Sequence, residues 1–148
     1  MTIAGTLAYS SDDPQKMTSG NDDGLQVLLV EDDAADAYLI KCALAKNPRI
    51  GSVVCATDGI NALRAIEEGD ATPDLAIIDL RMPRMDGFEL LVELSCRHHD
   101  EFPRFVLTSS TARSDHVRSR LRRADRVLHK PDTFNQLEVM LSNAIATI

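Results

Sequence analysis

The chain has 148 residues, 44% of them hydrophobic and 26% charged, with a formal net charge of −7. That length fits one domain with a real core, and no run approaches the ~18 consecutive apolar residues that a membrane-spanning helix needs. The acid excess argues against non-specific nucleic-acid binding by the whole surface, and Met1 to Ser10 has no basic residue ahead of its short apolar run, so no secretory leader is expected and a cytoplasmic location follows.

Residues 1–24 carry Ser10-Ser11-Asp12-Asp13-Pro14 and Ser19-Gly20-Asn21-Asp22-Asp23-Gly24 without a sustained apolar period, which predicts a flexible N-terminal arm. Order is expected from residue 25, giving one domain over residues 25–148. Leu25 to Val30 is an apolar run broken only by Gln26, the pattern of a strand buried on both faces. Ala35, Leu39, Cys42, Ala43 and Lys46 then follow helical spacing, and Asn47-Pro48 ends that helix. Val53 to Ala56 reads as a second strand, with Asp58-Gly59 as the turn into a helix over Ile60 to Glu68 that Gly69 closes. Leu75 to Ile78 is a third apolar strand ending at Asp79. Phe88 to Arg97 is helical, with Phe88, Leu91 and Ser95 on one face.

Phe105 to Leu107 makes a fourth strand ending at Thr108, and Val117, Leu121 and Ala124 form a narrow apolar stripe on a basic helix. That stretch holds Arg104, Arg113, Arg118, Arg120, Arg122, Arg123, Arg126 and Lys130, opposed only by Asp115 and Asp125. It reads as a solvated helix face or as a partner or dimer surface. Val127 to His129 is a short fifth strand, and Phe134, Leu137, Leu141, Ala144, Ile145 and Ile148 set the last helix. Cys42, Cys55 and Cys96 are odd in number, widely spaced and within apolar patterns, so they are expected to be buried free thiols.

Five strands alternating with five helices on short loops predict an α/β fold with a doubly wound, five-stranded parallel sheet. Ligands of such sheets sit beyond the carboxyl ends of the strands. Those ends carry Glu31-Asp32-Asp33, Asp79, Thr108-Ser109-Ser110 and His129-Lys130-Pro131. Carboxylate oxygens converging from separate strands suit Mg²⁺, which uses few protein ligands and keeps several waters. A carboxylate can act as nucleophile in aspartyl-phosphate formation, and a lysine and a hydroxyl can meet the charge of the phosphoryl group. Each piece alone has an ordinary explanation: Asp33 can be a helix N-cap, and Asp79 can be turn chemistry. Their order on successive strands of one sheet points to a phosphoryl-accepting site.

With Val27-Leu28-Leu29-Val30-Glu31-Asp32-Asp33, Asp79-Leu80-Arg81-Met82-Pro83-Arg84-Met85-Asp86-Gly87, Leu107-Thr108-Ser109-Ser110 and Lys130-Pro131, the chain resembles the receiver domain of two-component response regulators from about Leu25 onward. The resemblance implies a flavodoxin-like (βα)5 fold, with Asp79 as phosphoacceptor. It implies Mg²⁺ held by Asp32, Asp79 and the Arg81 carbonyl, with Glu31 acting through water. Lys130 would pair with the phosphoryl group, Thr108 would be the switch hydroxyl, and the Lys130-Pro131 peptide would be cis. The expected partner is a histidine kinase or a phosphotransfer protein. The Glu-Asp-Asp-x-x-Asp-x-x-Leu-Ile opening resembles single-domain regulators of bacterial phytochrome kinases, and no output domain is expected after Ile148. A homodimer through the face of the fourth helix, fifth strand and last helix also fits, with neither direct nucleic-acid binding nor membrane attachment.

Two departures stand out. Many receivers carry Tyr or Phe three residues before the lysine, where this chain has Val127. The common Gly-Ala-Asp ahead of the fifth strand reads Arg123-Ala124-Asp125. Two rivals follow: a phosphatase with an aspartyl nucleophile, which usually has Asp-x-Asp where this chain has Asp79-x-Arg81, and a degenerate receiver acting as a constitutive adaptor. The reading taken is a phosphoacceptor signalling domain, catalysing only its own phosphorylation and dephosphorylation.

Overall fold

A computed structural model of the chain describes residues 16–18, 24–82, 84–109 and 115–148. Most of the expected N-terminal arm, together with Pro83, Ser110 and Arg113, lies outside the described residues. The elements in chain order are β1 (Lys16–Thr18), β2 (Leu25–Val30), α1 (Ala34–Ala45), β3 (Ile50–Ala56), α2 (Gly59–Glu67), β4 (Leu75–Asp79), α3 (Gly87–Arg97), β5 (Arg104–Thr108), α4 (Asp115–Arg120), a 3₁₀ turn over Leu121–Arg123, β6 (Arg126–His129) and α5 (Phe134–Ile145).

The strands form one sheet in the order β1-β3-β2-β4-β5-β6. β2 to β6 are parallel, as the alternating pattern requires. β1 is an addition to the five-strand expectation: Lys16–Thr18 pairs antiparallel with Ser52–Val54 at the sheet edge. Its three residues are too few for a period-2 pattern to stand out from the turn formers around them.

β2 and β4 are buried almost throughout, since helices cover both faces of the sheet. On one side, Ile40, Ala43 and Leu44 of α1 and Leu137, Leu141, Ala144 and Ile145 of α5 pack on Val27, Leu29, Ile77, Phe105 and Leu107. On the other, Ala62 and Leu63 of α2, Leu90, Leu91 and Leu94 of α3, and Leu121 cover Leu28, Val30, Ile78 and Val106. Each fully buried Leu or Ile contributes roughly 1.5–3 kcal/mol of transfer free energy, so these two layers hold the sheet rigid beneath its carboxyl edge.

Helix caps follow the sequence closely. Asp33, Asp58, Asp86 and Thr133 cap α1, α2, α3 and α5, each accepting a backbone N–H three residues on. Asp86 and Glu89 form a reciprocal capping box at the start of α3.

Four expectations need correction. α1 buries Ile40, Ala43 and Leu44, whereas Leu39 is 43% exposed and Tyr38 62% exposed. This helix is apolar on nearly every side, so spacing alone could not choose the inward face. In α3 the buried set is Leu90, Leu91 and Leu94 rather than Leu91 with Ser95, and Phe88 is half-buried. Cys42 and Cys55 are half-buried free thiols, but Cys96 is exposed because it lies opposite the Leu90–Leu94 face. The Lys130-Pro131 peptide is trans, as are all described peptides; trans is the intrinsically favoured isomer before proline by about 0.5–1 kcal/mol.

The basic stretch divides in two. Arg104 is buried and donates to the Leu94 and His98 carbonyls, closing the C-terminus of α3. Arg118, Arg120, Arg122, Arg123 and Arg126 are exposed, and Arg120 lies 4.0 Å above the Phe88 ring.

Candidate functional site

In a sheet of this order, the chain leaves β2 and β4 toward opposite faces, opening a crevice at their carboxyl ends. Glu31 follows β2 and Asp79 ends β4, and Val30 and Ile78 are partners in register. The two carboxylates are therefore brought together by strand pairing rather than by proximity in sequence. Asp32, one residue further, joins them: Glu31, Asp32 and Asp79 each offer an oxygen within 4.8 Å of the others.

Burial grades this cluster. Glu31 is 4% exposed and Asp79 7% exposed, while Asp32 faces solvent. Glu31 Oε2 accepts the Asp33 N–H at 3.2 Å. Burial, and then the charge of Asp79, push the Glu31 carboxyl up to about 7, against the opposing pull of Lys130. A crevice that crowds carboxylates until one resists ionising is a place where a hard cation would relieve the repulsion. The donor set, all carboxylate oxygen, fits Mg²⁺ or a similar ion.

Lys130 comes in from beyond β6, reaching across the end of β5. Its Nζ lies 3.1 Å from Glu31 Oε1, 3.1 Å from Asp36 Oδ2 and 3.5 Å from Asp79 Oδ1. Burial works against the ammonium, but the hydrogen bond and charge of Glu31 and the charge of Asp79 outweigh it and hold the lysine pKa above its usual range. The Lys130 N–H donates to the Thr108 carbonyl at 2.8 Å, which ties the lysine to the end of β5. Thr108 itself is buried at that strand end. Glu31, Asp32, Asp79, Thr108 and Lys130 thus share one edge of the sheet, and Arg81 follows two residues after Asp79 with its side chain exposed.

Asp33 belongs to the helix instead: its carboxylate caps α1 through the Asp36 N–H at 2.9 Å. Sequence reasoning quoted Asp36 within the Glu-Asp-Asp-x-x-Asp opening but gave it no part in the site, where it meets Lys130. Gly87 stands in the quoted motif, but without a role. A Cβ there would stand 2.6 Å from the Asp79 carbonyl oxygen and 2.8 Å from Leu80 Cα, so only glycine lets α3 start this close to the end of β4. The Asp58–Arg84 ion pair beside the loop after Asp79 was likewise unforeseen.

Comparison with known proteins agrees with this geometry. The family model described as response regulator receiver domain matches residues 27–142. Response regulator MprA of Mycobacterium sp. (strain KMS) is 34% identical over 113 residues, covering 76% of this chain and 47% of MprA. The chain spans less than half the length of the first curated relatives it matches. Among solved structures, the phosphorylated cyanobacterial phytochrome response regulator RcpA superposes with a TM-score of 0.73 at 27% identity, covering 84% of this chain and 96% of RcpA. The Mn²⁺-bound form of response regulator Rcp1 gives 0.70 at 26% identity, covering 82% and 92%. With its sheet order, its strand-end residues and this match over most of its length, the chain belongs to the receiver-domain family of two-component response regulators.

Proposed function

We propose that this domain accepts a phosphoryl group on Asp79 from a cytoplasmic histidine kinase or phosphotransfer protein, and that the transfer depends on Mg²⁺. The observation that carries the reading is the meeting of Glu31, Asp32 and Asp79 with the Lys130 ammonium at the crevice between β2 and β4. Asp32, Asp79 and the Arg81 carbonyl would hold the ion, with Glu31 acting through water. When bound, the ion would offset the negative charge that gathers during phosphoryl transfer.

The chain's own residues have distinct roles in this reading. An Asp79 carboxylate oxygen attacks phosphorus as the P–N bond to the donor histidine breaks, and the leaving imidazole keeps the electron pair and takes up a proton. The acyl phosphate that results is met by Lys130, which exchanges its contact with Glu31 for one with a phosphoryl oxygen, and by the Thr108 hydroxyl. Later attack of water on phosphorus returns the carboxylate and releases inorganic phosphate. Only differential contacts can bias the domain between two packings, and the pull on Thr108 and Lys130 supplies them. The face that would respond is α4, the following 3₁₀ turn, β6 and α5, where the exposed arginines offer a surface to a target or a second copy. Val127 is 44% exposed there and has no ring to swing inward, so the rearrangement should be modest.

Two likenesses support the finer reading. RcpA is a phosphorylated phytochrome response regulator and Rcp1 binds Mn²⁺; a phytochrome-type kinase is accordingly the donor we assign. Incubation with acetyl phosphate and Mg²⁺, followed by mass spectrometry, tests the assignment. Stable label on Asp79 alone is expected. Fast turnover with released phosphate would favour the phosphatase rival, and absence of label the constitutive adaptor. Label that persists in Asp79→Asn would overturn the acceptor assignment.

A further inference from the structure

The loop that leaves β4 at Asp79 and returns as α3 must present the Arg81 carbonyl to the ion proposed above. Its two ends are fixed by the backbone. The Gly87 N–H donates to the Leu80 carbonyl at 3.0 Å, and the absent Cβ of Gly87 lets the two segments touch. Arg84 and Met85, further along, are held differently, by the neighbouring β3–α2 turn.

Asp58 is the N-cap of α2, accepting the Asn61 N–H at 2.8 Å, and its side chain is only 5% exposed. Its other oxygen faces the loop. Arg84 donates to that oxygen through Nε at 2.7 Å and through Nη2 as well. Next to it, the Gly59 N–H donates to the Met85 carbonyl at 3.1 Å, and a Cβ on Gly59 would collide with the Met85 side chain at 2.7 Å. Arg84 adopts φ +61°, the left-handed region that a β-carbon disfavours. A non-glycine residue stays in that conformation when its surroundings over-determine it, and here the surroundings are a buried carboxylate and a backbone bond. The opposite pulls on the Asp58 carboxyl agree: burial raises its pKa, but the Asn61 N–H and the Arg84 guanidinium outweigh that and hold it below the usual range.

We infer that the Asp58–Arg84 ion pair is a positioning clamp, fixing the loop after Asp79 so that the Arg81 carbonyl is preorganised for the metal and phosphoryl site. The inference rests on the metal-dependent phosphoacceptor reading above. Neither residue touches the reacting atoms; both act through the loop. Two guanidinium donors converging on one carboxylate oxygen, whose partner oxygen is already held by the Asn61 N–H, limit how far Arg84 can move.

Arg84→Gly is one test, because glycine accepts φ +61° without strain while the whole side chain, guanidinium included, is removed. Metal-free melting temperature, Mn²⁺ affinity by electron paramagnetic resonance, and acetyl phosphate labelling should be measured on the full chain. The melting temperature should fall, because buried Asp58 loses its guanidinium, and well below either melting temperature Mn²⁺ should bind on the order of tenfold more weakly, with labelling slowed in step. Arg84→Lys should recover part of the affinity through a single contact. Asp58→Asn keeps the N-cap, and combined with Arg84→Gly it should bind Mn²⁺ no more weakly than Arg84→Gly alone, as members of one unit do. Wild-type Mn²⁺ affinity in Arg84→Gly would overturn the clamp alone. A wild-type protein whose Mn²⁺ binding is absent, or unaffected by Asp32→Ala, would overturn the metal reading and the clamp with it.

Discussion

Lys130 Nζ stands 3.1 Å from Glu31 Oε1, a contact across 99 positions of sequence that joins the far side of β6 to the end of β2. Asp79 Oδ1 lies 3.5 Å from the same ammonium, so the lysine is the cation that both buried carboxylates share. Removing it would leave two buried carboxylates facing one another. Lys130→Met should therefore destabilise the metal-free protein by about 1.5–3 kcal/mol at pH 8, the usual worth of a hydrogen bond to a charged group. Mg²⁺ should restore more stability to this variant than to wild type, because the ion replaces the missing charge. Urea melts without Mg²⁺ and with Mg²⁺ at about tenfold its dissociation constant, where simple linkage is worth roughly 1.4 kcal/mol, would show it. Equal Mg²⁺ stabilisation in the two proteins would mean that the lysine and the ion do not share a site.

A pH dependence follows from Glu31. Its carboxyl is raised from the ordinary 4.5 to about 7 in the folded protein, first by burial and then by Asp79. The folded state thus binds a proton that the unfolded state releases. Stability from this group is complete below about pH 4.5 and is lost as pH rises through about 7, with a slope of up to about 1.4 kcal/mol per pH unit. The other displaced groups act elsewhere: the lowered Asp58 counts only toward acid, and the raised Lys130 only toward alkali. Denaturant melts of metal-free protein and of Glu31→Gln across this range should diverge, the variant being the more stable at the alkaline end. Parallel curves would show that Glu31 ionises normally.

Gly87 gives a steric prediction. Its missing Cβ is the space in which α3 meets the Asp79 carbonyl and the Leu80 backbone. Gly87→Ala should cost about 1–3 kcal/mol, the range for forcing extra atoms into a packed region, even though alanine is the better helix former. It should also displace the acceptor and slow labelling of Asp79. A variant as stable and as readily labelled as wild type would show that the loop yields without consequence.

Much of this was legible in the sequence because the strands are short, apolar and bounded by turn formers. Leu75 to Asp79 needs no structure to be read as a buried strand ending in a carboxylate, and order along the chain then puts Glu31, Asp79, Thr108 and Lys130 at one edge. Faces of helices were harder. α1 has Ala35, Tyr38 and Leu39 outward and Ile40 and Leu44 inward, all apolar, so period alone had no contrast to work with. Contacts made by side chains across loops were not legible at all. Asp58 reads as part of a turn with Gly59 and Arg84 only as one position of the Asp79–Gly87 motif; only the folded chain shows that they face each other.

Arg81 bears the last prediction, on the lifetime of the phosphoryl group. It follows Asp79 by two residues, its side chain is exposed, and it has no ion-pair partner among the described residues. In the proposed site the backbone carbonyl of this residue would serve the metal, which leaves the guanidinium available to lie over the Asp79 carboxylate. There it could obstruct the line along which water must approach phosphorus, or hold a phosphoryl oxygen through its planar donors. Both effects slow hydrolysis, since water must reach phosphorus opposite the Asp79 oxygen that leaves. Arg81→Ala keeps the backbone carbonyl and removes only the side chain, so metal binding should change little. Dephosphorylation of labelled wild type and variant, timed at one saturating Mg²⁺ concentration, should be faster in the variant. A tenfold acceleration would correspond to ~1.4 kcal/mol of barrier. Decay at the wild-type rate would assign the side chain to solvent and leave Asp79 as acceptor untouched.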